Sequence, residues 1–196
     1  MTIVPYRPPH PLSPFEGEVQ HDTLTQADYE ALKSVLPRWR DVLLVMVLRG
    51  TGLRISEALR LTPEHLEENG PDTAVLVKRG KKRGKALYER VFLHPVVATA
   101  LRDYIRGARI SPGQRIFAIQ RRQVGNIFHK AGMEAIGRPV HPHEFRGLYV
   151  KTLLDGGVPL AAAAKMVGHE DPKTTAKWYY ELTAGQRAEI NRRIPV

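Results

Sequence analysis

His143 and Arg146 stand three residues apart in the stretch HPHEFRG, residues 141–147. On a helix that spacing puts both side chains on one face, so an imidazole and a guanidinium can meet one ligand. Arg54, in GTGLRISEAL, follows a glycine turn and opens an amphipathic segment. A cation at that position faces the positive end of the helix dipole and needs an anion beside it. Glu57 is one candidate for that anion and a bound phosphate is another. Six of the eight residues 78–85 are basic: Lys78, Arg79, Lys81, Lys82, Arg83 and Lys85. Such a run is either a solvated loop or a contact to a phosphate backbone, where neutralised charges release counterions. Further on, HEDPKTTAKWYYEL, residues 169–182, sets Tyr179 and Tyr180 behind Trp178, with His169 upstream. Aromatics in a row are ordinary packing, but a positioned phenol is also a nucleophile. Metal ligation by His141 and His143 is the weakest reading, because no third ligand stands at a recognised spacing.

Composition narrows the choice. The 196 residues carry 30 Lys and Arg against 20 Asp and Glu, a net charge of +10 and a pI near 10.0. That excess points to a polyanionic partner, most simply nucleic acid. With no cysteine there is no disulfide, no thiolate nucleophile and no Cys-based zinc site. The longest apolar run, residues 42–48, is far too short to span a bilayer. The opening MTIVPYRPPHPLSP has no apolar core of the kind a secretory signal needs. The expected setting is cytoplasmic and DNA-associated, with no membrane.

These residues have to be held by elements that the pattern also predicts. LTQADYEALKSVL opens a helix, with Thr25 as its cap and Asp28 three residues on. Residues 39–48 are apolar nearly all round, as in a helix at the centre of a domain. Gly50 and Gly52 should break it, and Ile55, Ala58 and Leu59 share one face of the next helix. Residues 74–78 and 90–93 read as strands flanking a long basic tip. Helices are expected at 95–106, 120–131, 143–155, 160–167 and 174–182, each bounded by Gly or Pro. The class is therefore mostly α with a small antiparallel β-sheet (α+β). Residues 1–22 read as an extended proline-rich arm, 23–183 as one domain and 184–196 as a tail.

Taken in order, GTGLRISEALRLTPEHL, a basic hairpin and HPHEFRGLYVKTLLDGGVPLAAAAKMVGHEDPKTT resemble the catalytic domain of the tyrosine recombinases, or phage integrases. The resemblance runs from about Leu24 to Thr183 and is specific. It fixes the His-x-x-Arg, its distance to Gly-His and the Thr-Thr that follows. It implies that family's fold and a site-specific recombinase that breaks and rejoins DNA through a covalent 3′-phosphotyrosine, with no metal, cofactor or ATP. Position by position, Arg54 resembles the first catalytic arginine, His143 and Arg146 the His-x-x-Arg pair, and His169 the second histidine. Lys78 best matches the catalytic lysine, with Lys81 and Lys82 as substitutes on a tip longer than usual. Arg79, Lys81, Lys82, Arg83 and Lys85 are the expected DNA contacts.

Two positions depart from the family pattern. Gly147 follows the second arginine, where a histidine is usual. Trp178 stands nine residues after His169, where the nucleophilic tyrosine usually is, and Tyr179 and Tyr180 follow. One residue is about 100° of helix, so an adjustment within residues 170–175 has to aim Tyr179, the expected nucleophile; Tyr180 is the alternative. The resemblance also implies double-stranded DNA as partner and a homo-tetramer on two DNA sites, and the tail at 184–196 is a candidate segment for packing on a neighbouring protomer. The residues ahead of the domain are too few for the helical core-binding domain that family members usually carry. The expectation is thus a naturally short recombinase or a catalytic fragment. A catalytically silent DNA-binding relative and a type IB topoisomerase-like activity are the competing functions.

Overall fold

The structure, a computed structural model, describes residues 24–69, 71–82 and 85–168. Thr25 caps α1 (Gln26–Val35) as expected. Its hydroxyl accepts from the Asp28 amide while the Asp28 carboxylate accepts from the Thr25 amide, which satisfies two orphan donors at once. The apolar run folds as α2 (Trp39–Thr51), with Leu43, Leu44, Val45, Val47 and Leu48 fully buried. The helix runs through Gly50 and stops only at Gly52. Packing against Val97 covers Gly50, and tertiary contact outweighs the roughly 1 kcal/mol that an interior glycine costs.

After α3 (Ile55–Ala58) and a 3-10 turn at Pro63–His65 the chain enters an antiparallel sheet in the order β1 (Leu66–Asn69), β2 (Asp72–Lys82), β3 (Lys85–Phe92). The sequence pattern does not predict β1, because Leu-Glu-Glu-Asn carries no β-branched or aromatic residue. It pairs through Leu66↔Val75 at the sheet edge, where charged residues are tolerated. The long basic tip is also corrected. Pairing continues through Gly80↔Leu87, Lys81↔Ala86 and Lys82↔Lys85, so these basic residues lie on paired strands. The ladder is made by backbone groups and runs on after the apolar alternation has ended. A bulge interrupts the register between Lys78 and Gly80.

Three helices close the core. α4 (Pro95–Gly107) and α6 (Pro142–Asp155) pack on α2, while α5 (Arg121–Ile136) packs on α1. α5 runs five residues past the expected end and stops at Gly137, in the left-handed region at φ 73°. Phe128 of α5 and Phe145 of α6 meet edge to face, 5.4 Å between centroids. α6 ends at Gly156, and α7 (Leu160–Val167) folds back on it with Ala163, Ala164 and Val167 buried. Among the described residues no helix is long and apolar enough to cross a membrane. The arm at 1–22, the helix expected at 174–182 and the tail at 184–196 lie outside the described residues.

Candidate active site

The first turn of α6 is fixed by Glu144, which accepts from the His141 amide at 2.7 Å and pairs with Arg138 at 2.7 Å. On the helix so anchored, His143 is exposed and Arg146, one turn on, is only 1% exposed. Arg146 donates from Nη1 to the Gly52 carbonyl and from Nη2 to the Val167 carbonyl, each at 2.6 Å. The Gly52 carbonyl is available because α2 ends there in the left-handed region, φ 64°. A Cβ on Gly52 would stand 2.5 Å from Tyr149 Cδ1. Burial pushes the Arg146 guanidinium down to about 10; Arg54 adds to the effect, Glu57 opposes it and Arg79 adds least. The group is still a cation at neutral pH.

Arg54 opens α3, and Glu57 answers the charge problem its position raises. The Glu57 carboxylate accepts from the Arg54 amide at 2.7 Å and from Nη1 at 3.0 Å. Its side chain is 7% exposed, whereas that of Arg54 is 45% exposed. The anion the sequence left open is therefore Glu57, and nearly half of the Arg54 side chain still faces solvent. The three-residue spacing was the signal that could have placed Glu57 in the site. Arg54 Nη2 donates to the Gly168 carbonyl at 3.2 Å.

The sequence reading puts Arg79 among the exposed DNA contacts. Instead its side chain is 4% exposed and donates to the carbonyls of Val167 and Met166. Three guanidiniums from α3, β2 and α6 thus meet at the C-terminal end of α7, which carries the negative end of the helix dipole. Lys78, by contrast, is exposed and borders a cavity of about 170 Å³ shared with Glu57, Arg60, His65 and Tyr88. Arg54, Arg146 and the residue before His169 are brought together. His169, Trp178, Tyr179, Tyr180 and Arg83 lie outside the described residues. A half-open guanidinium backed by two buried ones is suited to holding an anion and stabilising charge that develops on it.

The sequence model of the phage integrase family matches residues 22–186. The chain belongs to the phage integrase family. Among its relatives, the tyrosine recombinase XerA of Thermococcus kodakarensis is 31% identical over 164 residues, 78% of this chain and 55% of the relative. The crystal structure of a XerA recombinase superposes with a TM-score of 0.69 at 19% identity, over 88% of this chain and 65% of that one. A XerH site-specific recombinase bound to a palindromic difH substrate, in a post-cleavage complex, also gives 0.69 at 19% identity, over 90% and 52%. Identities this low establish the shared integrase fold. The chain spans between about half and two thirds of the length of these relatives.

Proposed function

We propose that residues 23–183 are the catalytic domain of a site-specific recombinase that cuts and rejoins double-stranded DNA through a covalent 3′-phosphotyrosine. One observation carries the reading: Arg54 and Arg146 converge on the carbonyls of Gly168 and Val167, immediately ahead of His169. Two fork-shaped groups that are cations at neutral pH suit a pentavalent phosphate better than lysines do. Arg54, with its open half, holds a non-bridging oxygen, and Arg146 beneath it supplies fixed positive charge that needs no reorganisation.

The phenolic oxygen of Tyr179 attacks phosphorus and the bond to the 5′-oxygen breaks. Lys78 gives the leaving oxygen its proton, His143 assists removal of the phenol proton, and His169 hydrogen-bonds the phosphate. The phosphotyrosine conserves bond energy, so a 5′-hydroxyl can reverse the step without ATP. Lys81, Lys82, Arg83 and Lys85 contact backbone phosphates, and the active form is a homo-tetramer on two sites with residues 184–196 packed on a neighbour. Family membership and the DNA-bound XerH relative support this reading.

A second reading, a silent DNA-binding relative, is favoured by Trp178 at the usual nucleophile position. A pool of nicked duplexes with randomised cores separates the two, with trapped adducts recovered under denaturing conditions and sequenced. The recombinase reading expects adducts on a recurrent core sequence, lost in Tyr179→Phe and kept in Tyr180→Phe. Binding without adduct supports the silent relative, and relaxation of any supercoiled plasmid regardless of sequence supports a topoisomerase-like enzyme.

A further inference from the structure

Along β2 the side chains of Val75 and Val77 are buried, and Arg79, two residues further, falls on their face. Lys78 pairs with Tyr88 and Gly80 with Leu87, so Arg79 is the extra residue of the bulge. Bulges of this kind re-aim a side chain out of the regular ladder. Here the guanidinium crosses to the C-terminal end of α7, where Nη1 donates to the Val167 carbonyl and Nη2 to the Met166 carbonyl at 3.3 Å. Two carboxylates offset the buried charge: Glu57 lies 3.7 Å from Nη1 and Glu89 lies 3.4 Å from Nε. The contact is shaped from both sides. Gly168 has φ 68°, and a Cβ there would stand 2.7 Å from Arg79 Nη1. Exposure this low excludes Arg79 from direct phosphate contact in this arrangement.

We propose that Arg79 is a positioning residue that clamps the basic hairpin to the end of α7. It thereby fixes the backbone of Met166, Val167 and Gly168, the residues immediately ahead of His169 in the sequence. On the recombinase reading, the DNA-gripping hairpin is then tied through one guanidinium to the helix that precedes the attacking segment in the chain. This inference rests on the recombinase reading for its catalytic consequence but not for the clamp itself.

Two measurements on the full chain test it, using Arg79→Gln and Arg79→Lys. The first is adduct formation on the nicked-duplex pool at saturating DNA, together with DNA affinity across a salt series. Arg79→Gln should slow adduct formation about ten-fold or more while affinity and its salt dependence stay within about two-fold. Arg79→Lys should recover part of the rate, because an ammonium keeps the charge but cannot fork across two carbonyls. The second is hydrogen exchange of the free protein. Amides around residues 165–168 should exchange about ten-fold faster in Arg79→Gln, with those of α2 unchanged. Weaker DNA binding with a shallower salt slope would make Arg79 a phosphate ligand and overturn the proposal. Unchanged exchange at the end of α7, or acceleration that extends equally to α2, would overturn it too. A wild-type chain that forms no adduct would sink the recombinase reading, while the exchange data would still decide the clamp.

Discussion

Replacing Arg146 by methionine removes a buried cation while keeping most of its volume, and the structure sets the scale of the result. The Gly52 carbonyl would be left buried without its donor, whereas the Val167 carbonyl keeps the bond from Arg79. That one stranded acceptor costs roughly 1–3 kcal/mol. Against this, holding the guanidinium in a place that depresses it to about 10 costs the wild type roughly 3 kcal/mol relative to its ordinary value. The variant is relieved of that penalty. The expected net effect therefore lies between no change and a stabilisation of about 2 kcal/mol, as replacement of a buried cation by an apolar group of similar volume often gives. Urea denaturation followed by circular dichroism measures it. On the proposed assignment, adduct formation on the nicked-duplex pool should at the same time fall by several orders of magnitude, because the variant lacks the fixed charge assigned to stabilising the phosphate. A drop in stability beyond about 3 kcal/mol would show that the bonds of Arg146 outweigh its burial penalty and would refute this reckoning. A variant that still cleaves would refute the catalytic assignment.

Gly52→Ala forces a left-handed non-glycine residue against Tyr149; strain and overpacking together predict a destabilisation of about 2–5 kcal/mol in the same urea assay. Burial raises the phenol pKa of Tyr29 and of Tyr149 above the ordinary value. The fold therefore favours the neutral phenols: their contribution is intact below about pH 10 and disappears as pH rises through the raised values. Tm should fall above about pH 10, and fall less steeply in the Tyr29→Phe, Tyr149→Phe double variant; equal slopes would refute this. Arg146 acts over that range as well, being depressed, but it is common to both proteins and cancels. Replacing Lys81, Lys82, Arg83 and Lys85 by alanine should flatten the logarithmic salt dependence of DNA binding by about 0.9 for each phosphate no longer neutralised. An unchanged slope in a salt titration would show that these side chains do not face the DNA backbone.

The parts of this molecule that could be read along the chain are those set by neighbours a turn away. Thr25 and Asp28 announce a helix start, Gly156 and Gly168 announce stops, and the run from Leu43 to Leu48 announces a centre. The pairing of Arg54 with Glu57 belongs to the same local grammar. The sheet was harder, since β1 is acidic and the far halves of β2 and β3 are basic, so backbone pairing left no apolar trace. The meeting of three guanidiniums at the end of α7 is invisible at short range, because Arg54, Arg79 and Arg146 each look like a surface cation. Arg79 was hidden further by five basic neighbours. Only its two-residue step from Val77 set it apart.

The way α7 is fastened bears on the order in which the chain assembles. Eight residues make a helix too short to persist alone, even one rich in alanine. The groups that tie down its last turn come from 21, 88 and 114 residues away. Those loops must close before the carbonyls of Met166, Val167 and Gly168 find their donors. Consolidation of α7 is then a late folding event, and it waits until hairpin, α3 and α6 have already come together.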